Sequence, residues 1–294
     1  MSNKLTCQSE YGKLKSLFIK RPEAALRNQA LIDSQWQMLN YLDSPDLSKA
    51  IIEYDAFELF FKNNEIELSY FSENEEVTID SIYCRDASIA TDHGIILCNM
   101  GKGARLPEPQ ASGQDYESCG VNILGQISAP GTLEGGDVAW LDSNTLAVGH
   151  GYRSNDEGFS QLKIILQAFG INMIQVDLPH YRGRNDVFHL MSIFSPVDKD
   201  LAVVYSPLMP VRFREQLMSR GYDLIEVPED ELDSLGCNVM AVAPRKCIMV
   251  DGNPITKKRL EDSGCEVFAY QGEEISIKGG GGPSCLTRPL WREV

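Results

Sequence analysis

A segment near the end of the chain combines a run of glycines with a cysteine. Four consecutive glycines, Gly279 to Gly282, are followed by Pro283, a serine and Cys285. Glycines contribute no packing and cost folding entropy, so such a run is accepted where the backbone must approach another group closely or adopt positive φ angles. A thiol directly after the run predicts a nucleophile, although a flexible loop beside a buried cysteine has the same sequence.

A histidine and several acids in other segments can complete a reactive site. His189 precedes an apolar strand, and its imidazole titrates in the range that the proton partner of a thiol needs, although a core histidine fits there too. Glu134 and Asp137 flank two glycines, and Asp86 opens a hairpin as Asp137 opens the next one. These acids are either turn and capping residues or buried carboxylates close to a ligand.

One thiol, one imidazole and two or three carboxylates point to a particular chemistry. A cysteine, a histidine and a single acid are enough for a protease. The additional carboxylates indicate that the substrate is itself a cation, and a planar guanidinium with five N–H donors matches carboxylates in fixed geometry. The sequence therefore favours attack by a thiolate on a small cationic substrate.

Repeated segments of the chain carry these residues. Each has an apolar strand, a tight polar turn and a second apolar strand, and the segments begin at Asp86, Asp137, Leu190 and Asn238. Between these hairpins, a helical stretch ends at a glycine or asparagine and leads into one more strand. The unit is a hairpin, a helix and a strand, and its length of roughly 50 residues is that of propeller and solenoid repeats.

Strands from the two ends of the chain are expected to form a fifth unit. The apolar stretch from Leu14 can pair with the stretch that follows Cys285, which closes a ring and removes exposed sheet edges. The sequence predicts an α/β fold, a five-bladed α/β propeller with pseudo-fivefold repeats, in which residues 1–294 form a single catalytic domain. An open α/β sheet with similar alternation is the alternative. The irregular stretch from Gly101 to Ser128 is expected to form a lid or a rim loop.

Composition and charge argue against several classes of protein. With 27 basic and 42 acidic residues, the chain has a formal net charge of −15. This charge argues against a nucleic-acid binder and is compatible with a small cationic ligand. No apolar run approaches the length of a membrane helix, and the polar start of the chain is unlike a secretion signal. The eight cysteines include no C-x-x-C pair, so we expect reduced thiols in a cytoplasmic protein and no zinc ribbon.

Three motifs together resemble those of a known superfamily, the guanidine-modifying enzymes or penteins. Arginine deiminases, dimethylarginine dimethylaminohydrolases and amidinotransferases have motifs similar to Glu134-Gly-Gly-Asp137, to the pair formed by His189 and the following leucine, and to Gly-Gly-Gly-Pro-Ser-Cys285. The resemblance extends over most of the chain, from about Leu14 to Leu290. It implies a five-bladed α/β propeller that needs neither a metal nor an organic cofactor.

The resemblance also implies a role for each residue. Cys285 would attack the guanidinium carbon, and His189 would protonate the leaving nitrogen and then deprotonate the water that resolves the covalent amidino-thioether. Glu134 and Asp86 would accept hydrogen bonds from the guanidinium nitrogens. Arg153 would bind the α-carboxylate of the substrate, although its position also fits a solvated surface residue.

Two further residues are assigned to the substrate, and several positions depart from the family patterns. Asn155 is expected to bind the same end of the substrate as Arg153. Asp137 is counted among the substrate-binding carboxylates. Arginine deiminases have an acid at the position of Met191. This chain lacks that acid, as the dimethylarginine hydrolases do. A second carboxylate-binding arginine of those hydrolases falls near Asn99 or Met100. The identity of the substrate tail therefore stays open.

The expected activity is hydrolysis of a C–N bond, other than a peptide bond, in a linear amidine. The substrate is the guanidinium group of arginine or N-methylated arginine, and the product is citrulline. An amidinotransferase, in which an amine replaces water, is the alternative, because it uses the same residues up to the covalent stage. A non-enzymatic alternative is a binding propeller like a ribosome anti-association factor, which would have no reason to combine Cys285, His189 and Glu134. The expected partner is a small cationic guanidino substrate, neither nucleic acid nor a membrane, and a homo-oligomer is left open.

Overall fold

Five three-stranded sheets form the framework of the protein. The computed structural model describes residues 6–186 and 188–294, so residues 1–5 of the expected polar start lie outside the described residues. Within this part of the chain, fifteen strands form five sheets, in the orders β3-β4-β5, β6-β7-β8, β9-β10-β11, β12-β13-β14 and β15-β1-β2. The strands are β1 (Lys13–Ile19), β2 (Glu67–Tyr70), β3 (Ser88–Thr91), β4 (Gly94–Leu97), β5 (Ile123–Gln126), β6 (Val138–Asp142), β7 (Thr145–His150), β8 (Asn172–Asp177), β9 (Phe194–Asp198), β10 (Leu201–Val204), β11 (Asp223–Glu226), β12 (Met240–Ala243), β13 (Lys246–Val250), β14 (Glu266–Tyr270) and β15 (Thr287–Glu293).

The four sheets formed by β3 to β14 repeat one pattern of strand directions. Two antiparallel strands form a hairpin, and a third strand, which follows a helix, pairs in parallel with the second strand of that hairpin. The α-helices are α1 (Pro22–Ala25), α2 (Gln29–Gln35), α3 (Leu47–Asn63), α4 (Glu108–Ser118), α5 (Asp156–Leu166), α6 (Val211–Ser219) and α7 (Pro254–Asp262). The predicted α/β class and the repeated unit of hairpin, helix and strand are confirmed.

The helices pack against the sheets through one apolar side. In α3, the buried residues Ala50, Tyr54, Phe57 and Phe61 recur at helical spacing. Together with β1 and β13 they belong to one hydrophobic cluster. Among the described residues, no helix combines the length and the apolar character that crossing a membrane requires.

The fifth sheet joins strands from the two ends of the described chain. β15 pairs antiparallel with β1, so that Thr287 lies opposite Ile19, and β1 pairs in parallel with β2. The predicted pairing of the stretch from Leu14 with the stretch after Cys285 is therefore confirmed.

The stretch from Gly101 to Ser128 is not the irregular loop that its glycines and prolines indicate. It contains α4 and β5, which complete the first sheet. Pro107 and Pro109 lie at the start of α4, where a missing N–H costs no helical hydrogen bond. A Cβ at Gly113 would lie 3.0 Å from the Cδ1 atom of Leu97, so glycine lets the helix pack closely on β4.

The segments that enter the first strand of each sheet carry the predicted reactive residues. Asp86 lies just before β3, Asp137 before β6, His189 before β9 and Cys285 before β15. Asn238 has the same position before β12. The first strands of neighbouring sheets contact one another, as β15 contacts β3 and β9 contacts β12. The fold thereby brings together five segments that are distant in the sequence.

A hydrogen bond links each sheet to the next, and the fifth sheet to the first. The five bonds run from Trp140 Nε1 to the carbonyl of Ala90, from Tyr222 Oη to Leu141, from the Arg245 N–H to Val197, from Arg292 Nη1 to Ala241 and from Arg288 Nη1 to Ser88, at 2.6 to 3.0 Å. The donors and acceptors belong to the strands or to the turns next to them.

Candidate active site

Predicted residues from three sheets line one small cavity. Cys285, His189 and Asp86 contribute to the wall of a cavity of about 20 Å³, together with Arg153. All eight cysteines lie in the described residues, and none of them forms a disulfide bond. Cys285 is partly exposed, whereas the others are buried apart from Cys119 on the surface. Cys285 is therefore the thiol that a small molecule in this cavity can reach.

Glu134 holds the ring of His189. Its Oε2 atom lies 2.7 Å from Nε2 of His189, and its Oε1 atom accepts a hydrogen bond of 2.9 Å from the backbone N–H of Lys102. Both side chains are buried. Burial lowers the pKa of His189, but three neighbouring carboxylates raise it more, so the net shift of the pKa is upward. These carboxylates belong to Asp86, Asp137 and Glu134.

The hydrogen bond to His189 also keeps the carboxylate of Glu134 ionised. Burial alone raises the pKa of Glu134, but the hydrogen bond and the charge of His189, with the charges of Arg153 and Arg105, lower it below its ordinary value. At neutral pH the pair is therefore a carboxylate and an imidazolium. This state places a proton on a side chain that lines the same cavity as the thiol, with a buried negative charge beside it.

Asp86 presents an unpaired oxygen atom. Its Oδ2 atom accepts a hydrogen bond of 2.6 Å from Nη1 of Arg105. Its Oδ1 atom is buried and has no hydrogen-bond partner among the described residues. Because a buried acceptor without a donor costs free energy, a ligand with an N–H group would be favoured at this oxygen.

Arg105 is a residue of the site that the sequence did not single out. It lines the small cavity and lies a few residues beyond Asn99 and Met100, the positions near which the second arginine of the dimethylarginine hydrolases falls. Its Nε and Nη2 atoms also bind the carboxylate of Glu108, at 2.9 and 2.8 Å. Two acids therefore already compensate its charge. Because the sequence predicts a loop over residues 101–128, it gives no reason to assign Arg105 to the site.

Asn238 orients the thiol. Its Nδ2 atom donates a hydrogen bond of 3.2 Å to Sγ of Cys285, and its Oδ1 atom accepts one of 3.1 Å from the N–H of Ser284. Burial raises the pKa of Cys285 to about 11 and the charge of Asp86 raises it too, whereas the bond from Asn238 lowers it. The signal for this role was present in the sequence, because Asn238 begins the fourth repeat.

We expect Asn238→Asp to make Cys285 less reactive. The aspartate lacks the donor and adds a negative charge near the sulfur, so the pKa of Cys285 should rise further. Alkylation by iodoacetamide at pH 8 should slow by about tenfold, the effect of losing one hydrogen bond to a charged group. The rate can be measured by mass spectrometry of the modified peptide. Asn172→Asp, at an exposed position, is the control, and an unchanged rate in Asn238→Asp would remove this residue from the site.

Arg153 lies where the sequence predicts a substrate contact. It lines the small cavity and is buried. Its Nη2 atom donates a hydrogen bond of 3.1 Å to the carbonyl of Asp186, and its Nη1 atom lies 3.5 Å from Oε2 of Glu134. A surface position for this residue is excluded.

Asp137 supports the site from outside the cavity. It is fully buried, and burial raises its pKa to about 6. Its Oδ1 atom accepts a hydrogen bond of 3.0 Å from the N–H of Leu190, and its Oδ2 atom accepts one of 2.6 Å from Oγ of Ser154. Asp137 therefore fixes the backbone directly after His189 and does not line the cavity.

Asn155 is not brought to the cavity. It is the N-cap of α5, and its Oδ1 atom accepts hydrogen bonds from the N–H groups of Gly158 and Thr132, at 2.8 and 2.9 Å. Its Nδ2 atom donates to the carbonyl of Pro130 at 3.0 Å. These bonds give the side chain a structural role at the start of the helix.

Gly136 leaves the space in which two reactive side chains meet. A Cβ at this position would lie 2.7 Å from Oδ1 of Asp86 and 2.8 Å from Nδ1 of His189. We expect Gly136→Ala to displace both groups and to lower turnover about 100-fold, with a loss of about 1–3 kcal/mol in the free energy of unfolding. Gly103→Ala has open space around its Cβ and serves as the control for both measurements. Full activity in Gly136→Ala would show that the two groups need no exact spacing.

Three of these residues also have the spacing of metal ligands. Within the described part of the chain, ligand atoms of Asp86, Glu134 and His189 all lie within 4.8 Å of one another. His189 is already hydrogen-bonded to Glu134, and Arg105 to Asp86. The protein's own cations thus occupy much of this ligand set, and Oδ1 of Asp86 is the acceptor that remains.

Comparisons with known proteins show the family and the fold of the chain. The uncharacterized protein YkgA of Bacillus subtilis is 24% identical over 99% of this chain and 96% of its own length. A cysteine-to-serine variant of dimethylarginine dimethylaminohydrolase from Pseudomonas aeruginosa, in complex with citrulline, superposes with a TM-score of 0.76 at 22% identity, covering 94% of this chain and 99% of that chain. The amidinotransferase SxtG from Microseira wollei superposes with a TM-score of 0.79 at 13% identity, covering 99% and 98%. The family model described as N,N dimethylarginine dimethylhydrolase, eukaryotic, matches residues 21–292, so the chain belongs to this family within the pentein superfamily.

Proposed function

We propose that this protein is a hydrolase that cleaves a C–N bond in the guanidinium group of arginine or an N-methylated arginine. The observation that carries the proposal is the arrangement of Cys285, His189 and Asp86 around one cavity, with Glu134 bound to His189. Membership of the dimethylarginine dimethylhydrolase family supports the same reaction class. The expected ureido product is citrulline.

The guanidinium group is held by the acids of the site. Oδ1 of Asp86 has no other partner among the described residues and would accept an N–H of the substrate. Glu134 adds a second negative charge, because its pKa is lowered below the ordinary value. Arg153, with one Nη atom bonded to a backbone carbonyl, would bind the α-carboxylate at the other end of the substrate.

The substrate itself activates the nucleophile. Burial and the charge of Asp86 raise the pKa of Cys285 to about 11, so the thiol is the main form at neutral pH. A guanidinium bound next to the sulfur adds a positive charge, which offsets the repulsion from Asp86 and favours the thiolate. Cys285 is thus protected from unselective alkylation until a cation of the correct shape is bound.

His189 serves as both acid and base. It is protonated at neutral pH because neighbouring carboxylates raise its pKa. It gives a proton to the leaving nitrogen as the carbon–nitrogen bond breaks and the amidino-thioether of Cys285 remains. The neutral imidazole then takes a proton from water, which attacks the same carbon and releases the thiolate.

A turnover screen tests the proposed function. Arginine, Nω-methylarginines, agmatine and guanidinoacetate are incubated with the protein, with and without glycine, and the ureido product and released amine are measured. A ureido product and an equimolar amine are expected. Transfer of a labelled guanidino carbon to glycine would instead identify an amidinotransferase. The hydrolase is rejected if there is no turnover and chloroacetamidine labels Cys285 no faster than the other cysteines.

We also propose that the five sheets close into a ring, as a five-bladed propeller, and that residues 1–294 form a single catalytic domain. The support for closure is the series of hydrogen bonds between successive sheets, which includes the bond from Arg288 in the fifth sheet to Ser88 in the first. A ring places all five entering segments at one axis, which is what the site requires.

A further inference from the structure

A second and larger cavity adjoins the nucleophile. The described residues that line it enclose a volume of about 400 Å³. This volume is in the range of ligand pockets. Cys285 and His189 lie in its wall and in the wall of the small cavity, whereas Asp86 and Arg153 line only the small one. The two reacting side chains are therefore shared by two compartments.

A large part of the remaining wall of the large cavity is apolar. Its apolar members are Leu42, Tyr181, Phe188, Met191, Leu208, Leu232, Leu235, Cys237 and Ile277, and its uncharged polar members are Asn40, Asn185, Ser192 and Asn238. The cations in the wall have carboxylate partners of their own, in the pairs Arg182–Asp233 at 2.8 Å, Lys278–Glu274 at 2.7 Å and Arg85–Glu10 at 2.8 Å. A carboxylate or a second guanidinium would gain little in this compartment, whereas an alkyl or aryl group would lose its contact with water.

The reaction assigns a part of the substrate to this cavity. The leaving nitrogen must face His189 to receive its proton, while the other nitrogens face Asp86 in the small cavity. A substituent on the leaving nitrogen is therefore directed past His189, toward the compartment that His189 also lines. A methyl group would fill only a small part of 400 Å³.

We infer that the substrate carries an alkyl or arylalkyl group larger than methyl on its leaving nitrogen, and that the large cavity binds this group. The inference rests on the hydrolase proposed above. In the first step the thiolate of Cys285, whose proton has passed to solvent on substrate binding, forms the S–C bond, the C–N bond breaks and the proton of His189 passes to the leaving amine. In the second step the oxygen of water bonds to the carbon, the S–C bond breaks and a proton of water returns to His189. The products are a ureido compound and a primary amine larger than methylamine.

A substrate series tests the inference. We expect kcat/KM for amine release to rise from Nω-methylarginine through the propyl to the pentyl compound, by up to about fourfold for each methylene buried. A fall in kcat/KM from methyl to propyl and pentyl would overturn the inference and leave the hydrolase intact. Failure of every compound in the series, arginine included, would instead reject the hydrolase and this inference with it.

Variants that fill the cavity provide the second arm. Leu232→Trp should lower the ratio of kcat/KM for the pentyl compound to that for the methyl compound by more than about tenfold. Leu59→Trp, at a half-exposed position on α3 that lines neither cavity, should leave the ratio unchanged. Leu208→Phe repeats the test with a smaller increase in volume if the tryptophan variant does not fold. An unchanged ratio in a folded filling variant would show that the substituent binds elsewhere.

Discussion

Replacing Cys285 with serine is expected to lower turnover of any guanidino substrate by about 10⁴-fold or more. A serine hydroxyl ionises far less readily than a thiol, and the described partner of this side chain, Asn238, donates a hydrogen bond and cannot remove a proton. The measurement is the rate of amine release at saturating substrate. Thermal unfolding should change little, because the substitution alters one atom in a partly exposed side chain.

The matched control for this variant is Cys119→Ser. Cys119 is exposed and lines neither cavity, so turnover and thermal stability should both stay near those of the parent protein. If the serine variant at position 285 retained more than a small fraction of the activity, another group would have to be the nucleophile. A mass increase on Cys285 during turnover, equal to the mass of the substrate less its leaving amine, would be the direct evidence for the covalent step.

Glu134→Gln is expected to have the second-largest effect. The amide keeps the shape of the side chain but removes the charge that helps to raise the pKa of His189. The pKa of His189 should fall, the limb of the pH–rate profile that reports His189 should move to lower pH, and turnover should fall about 10²- to 10⁴-fold. Removing one member of a buried pair should also cost about 3–5 kcal/mol in the free energy of unfolding.

The same variant predicts a change in how stability depends on pH. The pKa of His189 in the folded protein is raised above its ordinary value near 6.5. Its contribution to stability is therefore complete below pH 6.5 and is lost as the pH rises through the folded value. In Glu134→Gln this loss should be smaller and should be complete at a lower pH, because only the folded pKa of His189 changes. Melting temperatures between pH 5 and 10 test the expectation, with Glu67→Gln at an exposed position as control. If the melting temperature of Glu134→Gln depended on pH as it does in the parent protein, Glu134 would not be a group that raises the pKa of His189.

The repeating unit could be predicted from the sequence because its boundaries depend on local backbone chemistry. Gly170, Gly221 and Gly264 end or follow three of the helices with φ angles of 69°, 84° and 83°, which other residues rarely adopt. The regular spacing of the hairpins then placed Asp86 and His189 at equivalent positions. The pairing of β1 with β15 followed from counting the units.

Other features of the site depend on packing that no local pattern reports. The side chain of Asn155 caps the start of α5, whereas the sequence shows only an asparagine two residues after Arg153. Arg105 lies in a short turn before α4, and its guanidinium binds both Asp86 and Glu108, the first residue of a helix that the prolines and Gly113 obscure. The large cavity forms between side chains from several sheets and loops, so its volume has no counterpart in the order of the residues.

The pairing of β15 with β1 also affects the order in which the parts of a newly synthesised chain can assemble. During synthesis β1 leaves the ribosome first among the strands and β15 last, so four sheets can assemble while Cys285 is still being delivered. Until β15 docks, Cys285 is not fixed in the wall of the cavity that Asp86 also lines, and the proposed site is incomplete. Contacts between such distant parts of a chain form slowly, so docking of β15 would be a late step in assembling the proposed site.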